Sequence, residues 1–174
     1  MKLKLLILSL LVSLGVSAQN IPLLDRVPGH RVAFDYTYSL EQKDVPMREV
    51  TSGRVTVENN CFSLSGLGLE IRSDGENRWS VDREAKEVVI ETVDGDDLVT
   101  NPALFISSYM KIRDRLTVNS SSSDSLDVTL SLDGDTSARF VLKNIVFLDV
   151  TGEKKDFSFD GKSFGKDYLV TDLR

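Results

Sequence analysis

LEIRSDGENRWSVD, residues 69–82, decides how this chain is read. Two short runs that alternate apolar with polar residues flank Asp74-Gly75, a pair suited to a tight β-hairpin turn. Leu69 and Ile71 share one side of the first run, and Trp79 and Val81 share one side of the second. Trp79 is the only tryptophan in 174 residues, and the stretch holds no histidine, cysteine or glycine-rich phosphate loop. The reading that follows is a β-protein whose single indole lies beside Leu69, Ile71 and Val81 on one concave apolar face.

Upstream, VAFDYTYSL (32–40) sets Val32, Phe34, Tyr36, Tyr38 and Leu40 on one side of a strand. MREVTSGRVTVEN (47–59) reads as a long strand with a bulge or bend at Gly53, carrying Val55 and Val57. CFSLSG (61–66) pairs Phe62 with Leu64. Downstream, VVIETV (88–93) is one more strand.

The pattern changes over 94–114. Pro102 suits the first position of a helix capped by Thr100 or Asn101, and Phe105, Ile106 and Tyr109 form one apolar stripe. NSSSSDS (119–125) reads as a polar linker or loop, and LDVTLSLD (126–133) resumes the alternation. ARFVLKNIVFLDV (138–150) gives one or two strands, and DFSFD (156–160) and DYLVTDL (167–173) close the chain as strands. Together these predict a mainly β fold with one or more short helices, built on an antiparallel sheet of about nine to eleven strands that curls strongly. Such a sheet either closes as a barrel or half-closes under the helix.

Residues 1–18 have the form of a cleavable export signal. Lys2 and Lys4 precede the apolar run 5–16, and Val16-Ser17-Ala18 is a small-residue cleavage site. The apolar run is short for a membrane span. The expectation is an exported chain whose residues 19–174 form one domain. Removing the signal takes the formal net charge from −6 to about −8, which disfavours nucleic acid as a partner.

Few residues suit chemistry. Cys61 is the only cysteine, so no intrachain disulfide forms, and His30 is the only histidine. Nucleophilic catalysis lacks a matched base, and a zinc site lacks ligands. DGDD (94–97) and DGDT (133–136) lack the glutamate of a calcium-binding EF-hand loop and read as turns. The 27 acidic residues leave paired-carboxylate hydrolysis as one alternative. A non-catalytic envelope module that pairs through a sheet edge is another. The expectation is neither enzyme, metal nor cofactor, but an apolar cavity.

Residues 53–109 resemble the LolA family of periplasmic lipoprotein carriers. The resemblance runs through Gly53 opening a strand, the aromatic Phe62, Ser73-Asp74-Gly75, Trp79, the turn at Asp82, and the helix start Asn101-Pro102-Ala103. VAFDYTYSLEQ is similar to the family's first strand, and DFSFDGKSFGKDYLVTDLR to its ending.

That resemblance implies a half-open β-barrel under a helical lid, with a cavity that takes lipoprotein acyl chains. Its lining would be Phe34, Tyr36, Tyr38, Val55, Val57, Phe62 and Leu64, with Leu69, Ile71, Trp79 and Val81 from the hairpin and Phe105, Ile106 and Tyr109 from the helix. It implies a monomeric carrier that receives acylated lipoproteins from an inner-membrane ABC transporter and passes them to an outer-membrane acceptor. Two features depart from the family. Only NIPLLDRVPG precedes the first strand, too little for the usual amphipathic helix, so the lid rests on 101–112. Glu58-Asn59-Asn60-Cys61 stands where the family's latch arginine precedes the aromatic of the second strand region.

Overall fold

The computed structural model describes residues 21–66, 68–93, 102–160 and 163–174. The export signal, the Thr100/Asn101 cap and the DGDD turn lie outside the described residues. The alternation becomes ten strands: β1 (Arg31–Gln42), β2 (Val45–Glu58), β3 (Cys61–Gly66), β4 (Leu69–Ser73), β5 (Asn77–Asp82), β6 (Glu87–Thr92), β7 (Leu116–Ser121), β8 (Leu126–Ser131), β9 (Thr136–Leu148) and β10 (Leu169–Asp172). They form one open sheet in the order β10-β6-β5-β4-β3-β2-β1-β9-β8-β7. Every pairing is antiparallel except β10 on β6, which is parallel.

Two α-helices among the described residues join them. α1 (Pro22–Asp25) is a single turn that starts at Pro22 and buries Leu23 and Leu24. α2 (Pro102–Ile112) lies between β6 and β7, strands near opposite ends of the sheet. Its Phe105, Ile106, Tyr109 and Ile112 are buried in the main core, as a stripe at helical spacing should be.

Register assigns each strand residue to a face. Across the pairs, Phe34, Val55, Leu64 and Ile71 stand side by side, as do Val32, Val57 and Phe62. This core face continues through Tyr36–Leu142–Leu126, Tyr38–Phe140–Val128 and Leu40–Ala138–Leu130. One apolar cluster fills it, roofed by α1 and α2.

Four local expectations are corrected. DFSFD is no strand: Lys154–Phe157 forms a 3-10 turn and buries Phe157. NSSSSDS is a shorter loop than expected: residues 119–121 belong to β7, and only 122–125 turn, with Ser122 N–H donating to the Ser125 carbonyl. The final strand pairs parallel, because the chain leaves β9, third from one edge of the sheet, and reaches the opposite edge by a crossover. β2 does bulge, but at Val50, opposite Tyr38 and Ser39, and Gly53 is instead a close approach. It pairs with Gly66, and a Cβ on Gly53 would meet the Ser65 carbonyl oxygen at 1.7 Å.

The crossover after β9 runs over the reverse face as a strap. Glu58, 3% exposed, anchors it by accepting from Gly152 N–H (2.7 Å), Thr151 N–H (3.2 Å) and the Thr151 hydroxyl (3.2 Å). Arg31 pairs with both Glu58 (3.7 Å) and Asp156 (2.8 Å). Further along, Arg72 donates to the Ser158 carbonyl and lies over the Phe159 ring at 4.2 Å.

Candidate ligand-binding face

The core face carries most of the expected lining. Phe34, Tyr36, Tyr38, Val55, Val57, Phe62 and Leu64 are buried in one cluster with Phe105, Ile106 and Tyr109 of α2. Ile71 packs against its margin half-buried, and Leu69 is half-buried on the same face, across from Gly66.

Trp79 and Val81 do not join them. β4 and β5 are linked so that odd positions of one strand pair with even or odd positions of the other according to the turn, and here Ile71 pairs with Ser80, and Trp79 with Arg72. Trp79 faces the reverse side, aligned with Ser63 and Ile90, while Val81 aligns with Glu70 and Val88. The indole is 8% exposed, on the side that the strap crosses. The two alternations are real. Only their relative phase differs from the expectation, and a one-residue change of register reverses every side chain.

The centre of the core face is a stack of three rings. Phe105 lies on Phe140 at 4.5 Å between centroids and 11° between planes, and Tyr38 lies on Phe140 at 5.1 Å and 27°. Phe105 is completely buried. It thus plugs the face from the helix side.

Three tyrosine hydroxyls enter this apolar layer with different fates. Tyr36 Oη meets Thr51 Oγ1 at 3.4 Å, in space left by the missing Cβ of Gly66. Tyr109 donates to Asp25, tying α2 to α1. Tyr38 Oη is buried without a hydrogen-bond partner. Burial pushes the hydroxyls of Tyr36 and Tyr38 above the ordinary phenol range, so both stay protonated at neutral pH.

Sequence reasoning missed half of this face. Leu116, Leu126, Val128, Leu130, Ala138 and Phe140 supply it from β7, β8 and β9. The signal was present, since Ala138, Phe140 and Leu142 alternate as cleanly as Phe34, Tyr36 and Tyr38.

Among the described residues the larger hollows lie away from this face: one of about 550 Å³ between the β1–β2 and β8–β9 turns, lined by Lys43, Asp44, Asp133 and Asp135 among others, and one of about 480 Å³ beside Thr37, Ser39, Asp127 and Arg139. A hollow of about 410 Å³ lies by the free end of the β1–β2 hairpin, lined by Leu40, Gln42, Val45, Pro46, Arg48 and Val50. Among the described residues no group of three or more His, Cys, Asp or Glu is placed to hold a metal. DGDT is a hairpin turn, with Asp133 accepting from Asp135 N–H. His30 packs edge-on against Phe147. Cys61 is buried, and desolvation holds its thiol above the ordinary range.

The described carboxyls that shift all move down. Desolvation pushes Glu70 up, but hydrogen bonds from Arg83 and Arg72 hold it below the ordinary range; the hydrogen bond from Arg139 lowers Asp127.

No family model and no curated protein matches this chain. Among solved structures it is similar to an uncharacterized conserved protein from Thermus thermophilus, at 11% identity and a TM-score of 0.47, over 87% of this chain and 97% of that one.

Proposed function

We propose that the protein is a periplasmic carrier of the LolA type. The sheet is a half-open barrel, α2 is its lid, and the core face takes the acyl chains of lipoproteins bound for the outer membrane. The observation that carries this reading is Phe105. A helix roofing an open sheet drives a completely buried phenylalanine into an apolar face built from both halves of that sheet. Lifting α2 would exchange that ring for an acyl chain of similar polarity, and each buried methylene is worth about 0.8 kcal/mol. The Tyr109–Asp25 hydrogen bond serves as the closing tie where the family's arginine is absent. The donor is an inner-membrane ABC transporter, the acceptor lies at the outer membrane, and no cofactor takes part.

The test places a reporter in the plug: Phe105→Trp in a Trp79→Phe background, titrated with a triacylated lipopeptide and with its unacylated twin. A saturable emission change with the acylated peptide alone supports the carrier. Silence towards both sinks it.

One observation favours a second reading, an envelope interaction module. The edge strand β10 exposes Leu169 and Val170, with Leu173 beyond it. A concentration-dependent rise in mass, abolished by Val170→Lys, would favour that reading.

A further inference from the structure

We propose that Tyr38 is the polar anchor of this ligand face, donating its hydroxyl hydrogen bond to an ester carbonyl of a bound acyl lipid. The proposal rests on the carrier reading and names the group which that site recognises.

Tyr38 is 4% exposed and its Oη has no partner, whereas the hydroxyls of Tyr36 and Tyr109 meet Thr51 and Asp25. An unpaired buried hydroxyl costs about 1–3 kcal/mol. Phenylalanine would avoid that cost, and this face already accepts Phe34, Phe105 and Phe140. The hydroxyl therefore weakens the closed protein and needs a use outside it.

Its surroundings define the group it suits. On this face Tyr38 is flanked by Thr51 and Phe140 across the sheet and by Tyr36 and Leu40 along its own strand, none of them cationic. A carboxylate or phosphate would be buried there without counter-charge, at a cost above what one hydrogen bond returns. A neutral acceptor avoids this. An amide would bring its own N–H donor into the same apolar layer, while an ester brings acceptors only. Access follows from the ring contacts: Phe105 stacks on Phe140, and Phe140 stands beside Tyr38 as its register partner across β1 and β9. When α2 lifts, the chain that replaces Phe105 runs along Phe140 and brings its ester end to Tyr38.

The experiment compares the wild-type protein with Tyr38→Phe. The ligands are a diacylglyceryl-cysteine lipopeptide and its dialkyl-ether twin, measured by calorimetry beside ligand-free melting curves. The expected variant melts higher than wild type, binds the diester about tenfold more weakly, and binds the diether unchanged. A lower melting temperature overturns the proposal, because the hydroxyl then already has a partner in the fold. Equal loss for both lipids, or no loss for either, overturns it too. Wild-type protein that binds diester and diether equally leaves the carrier standing and removes the anchor. Wild-type protein that binds neither removes the carrier reading and the anchor with it.

Discussion

Trp79 stands directly across from Arg72, and Arg72 holds its guanidinium 4.2 Å from the ring centre of Phe159. The one indole of the chain is thereby tied to the strap on the reverse face and separated by the thickness of the sheet from the phenylalanine stack. Its fluorescence follows the strap. Removing residues 153–174 should shift Trp79 emission to the red and raise its quenching by acrylamide. Acyl ligands should leave emission from the intact protein nearly unchanged. A large ligand-induced change at Trp79 would contradict the assignment of faces.

Glu58 decides whether the strap stays down. It is buried and accepts from Thr151 and Gly152 while facing Arg31. Glu58→Ala leaves those donors unpaired and should cost roughly 3 kcal/mol in urea denaturation. Amide exchange should accelerate first around 151–159. Uniform acceleration across the whole sheet would mean that the strap is not held separately.

Gly53 should tolerate no side chain. An alanine there places its Cβ 1.7 Å from the Ser65 carbonyl oxygen, so the β2–β3 pair has to separate. We expect Gly53→Ala to lose about 3 kcal/mol. The matching change at Gly134, where a Cβ meets nothing within 4 Å, should stay within about 0.5 kcal/mol.

The α1–α2 tie is tested by Tyr109→Phe. Loss of the bond to Asp25 should cost about 1 kcal/mol and speed amide exchange in α2 ahead of β1 and β9. If α2 exchange is unchanged, core packing alone holds the helix down.

Acid should weaken the β8–β9 pair through Asp127. Its carboxylate accepts from Arg139 at 2.9 and 2.5 Å, and that bond sets its pKa below the usual carboxylate range. A depressed folded-state pKa contributes stability that is complete above the unfolded value, about 3.9, and is lost as pH falls through the folded value. Asp127→Asn should therefore lose less stability than wild type between about pH 5 and pH 2, read from urea midpoints at each pH. Parallel pH curves for the two proteins would remove Asp127 from the acid response.

Local chemistry made much of this protein legible in its sequence. Period-two alternation exposed the strands, and the spacing of Phe105, Ile106 and Tyr109 marked the buried side of α2, because each signal depends only on residues a few positions apart. Partnership across the sheet was not local. Whether Trp79 shares a face with Ile71 or stands across from Arg72 depends on the register that one turn sets, and two readings one residue apart put the indole on opposite faces. DFSFD alternates like a strand, yet Phe157 is buried in a 3-10 turn of a strap held by Glu58 and Arg31, residues far away in the chain. Sequence pattern was enough for the elements and their apolar sides. Long-range packing was needed to say which sides meet, that Phe140 lies between Phe105 and Tyr38, and that the Tyr38 hydroxyl is left without a partner. Pairing and stacking join residues distant in sequence, and no nearest-neighbour pattern encodes their phase.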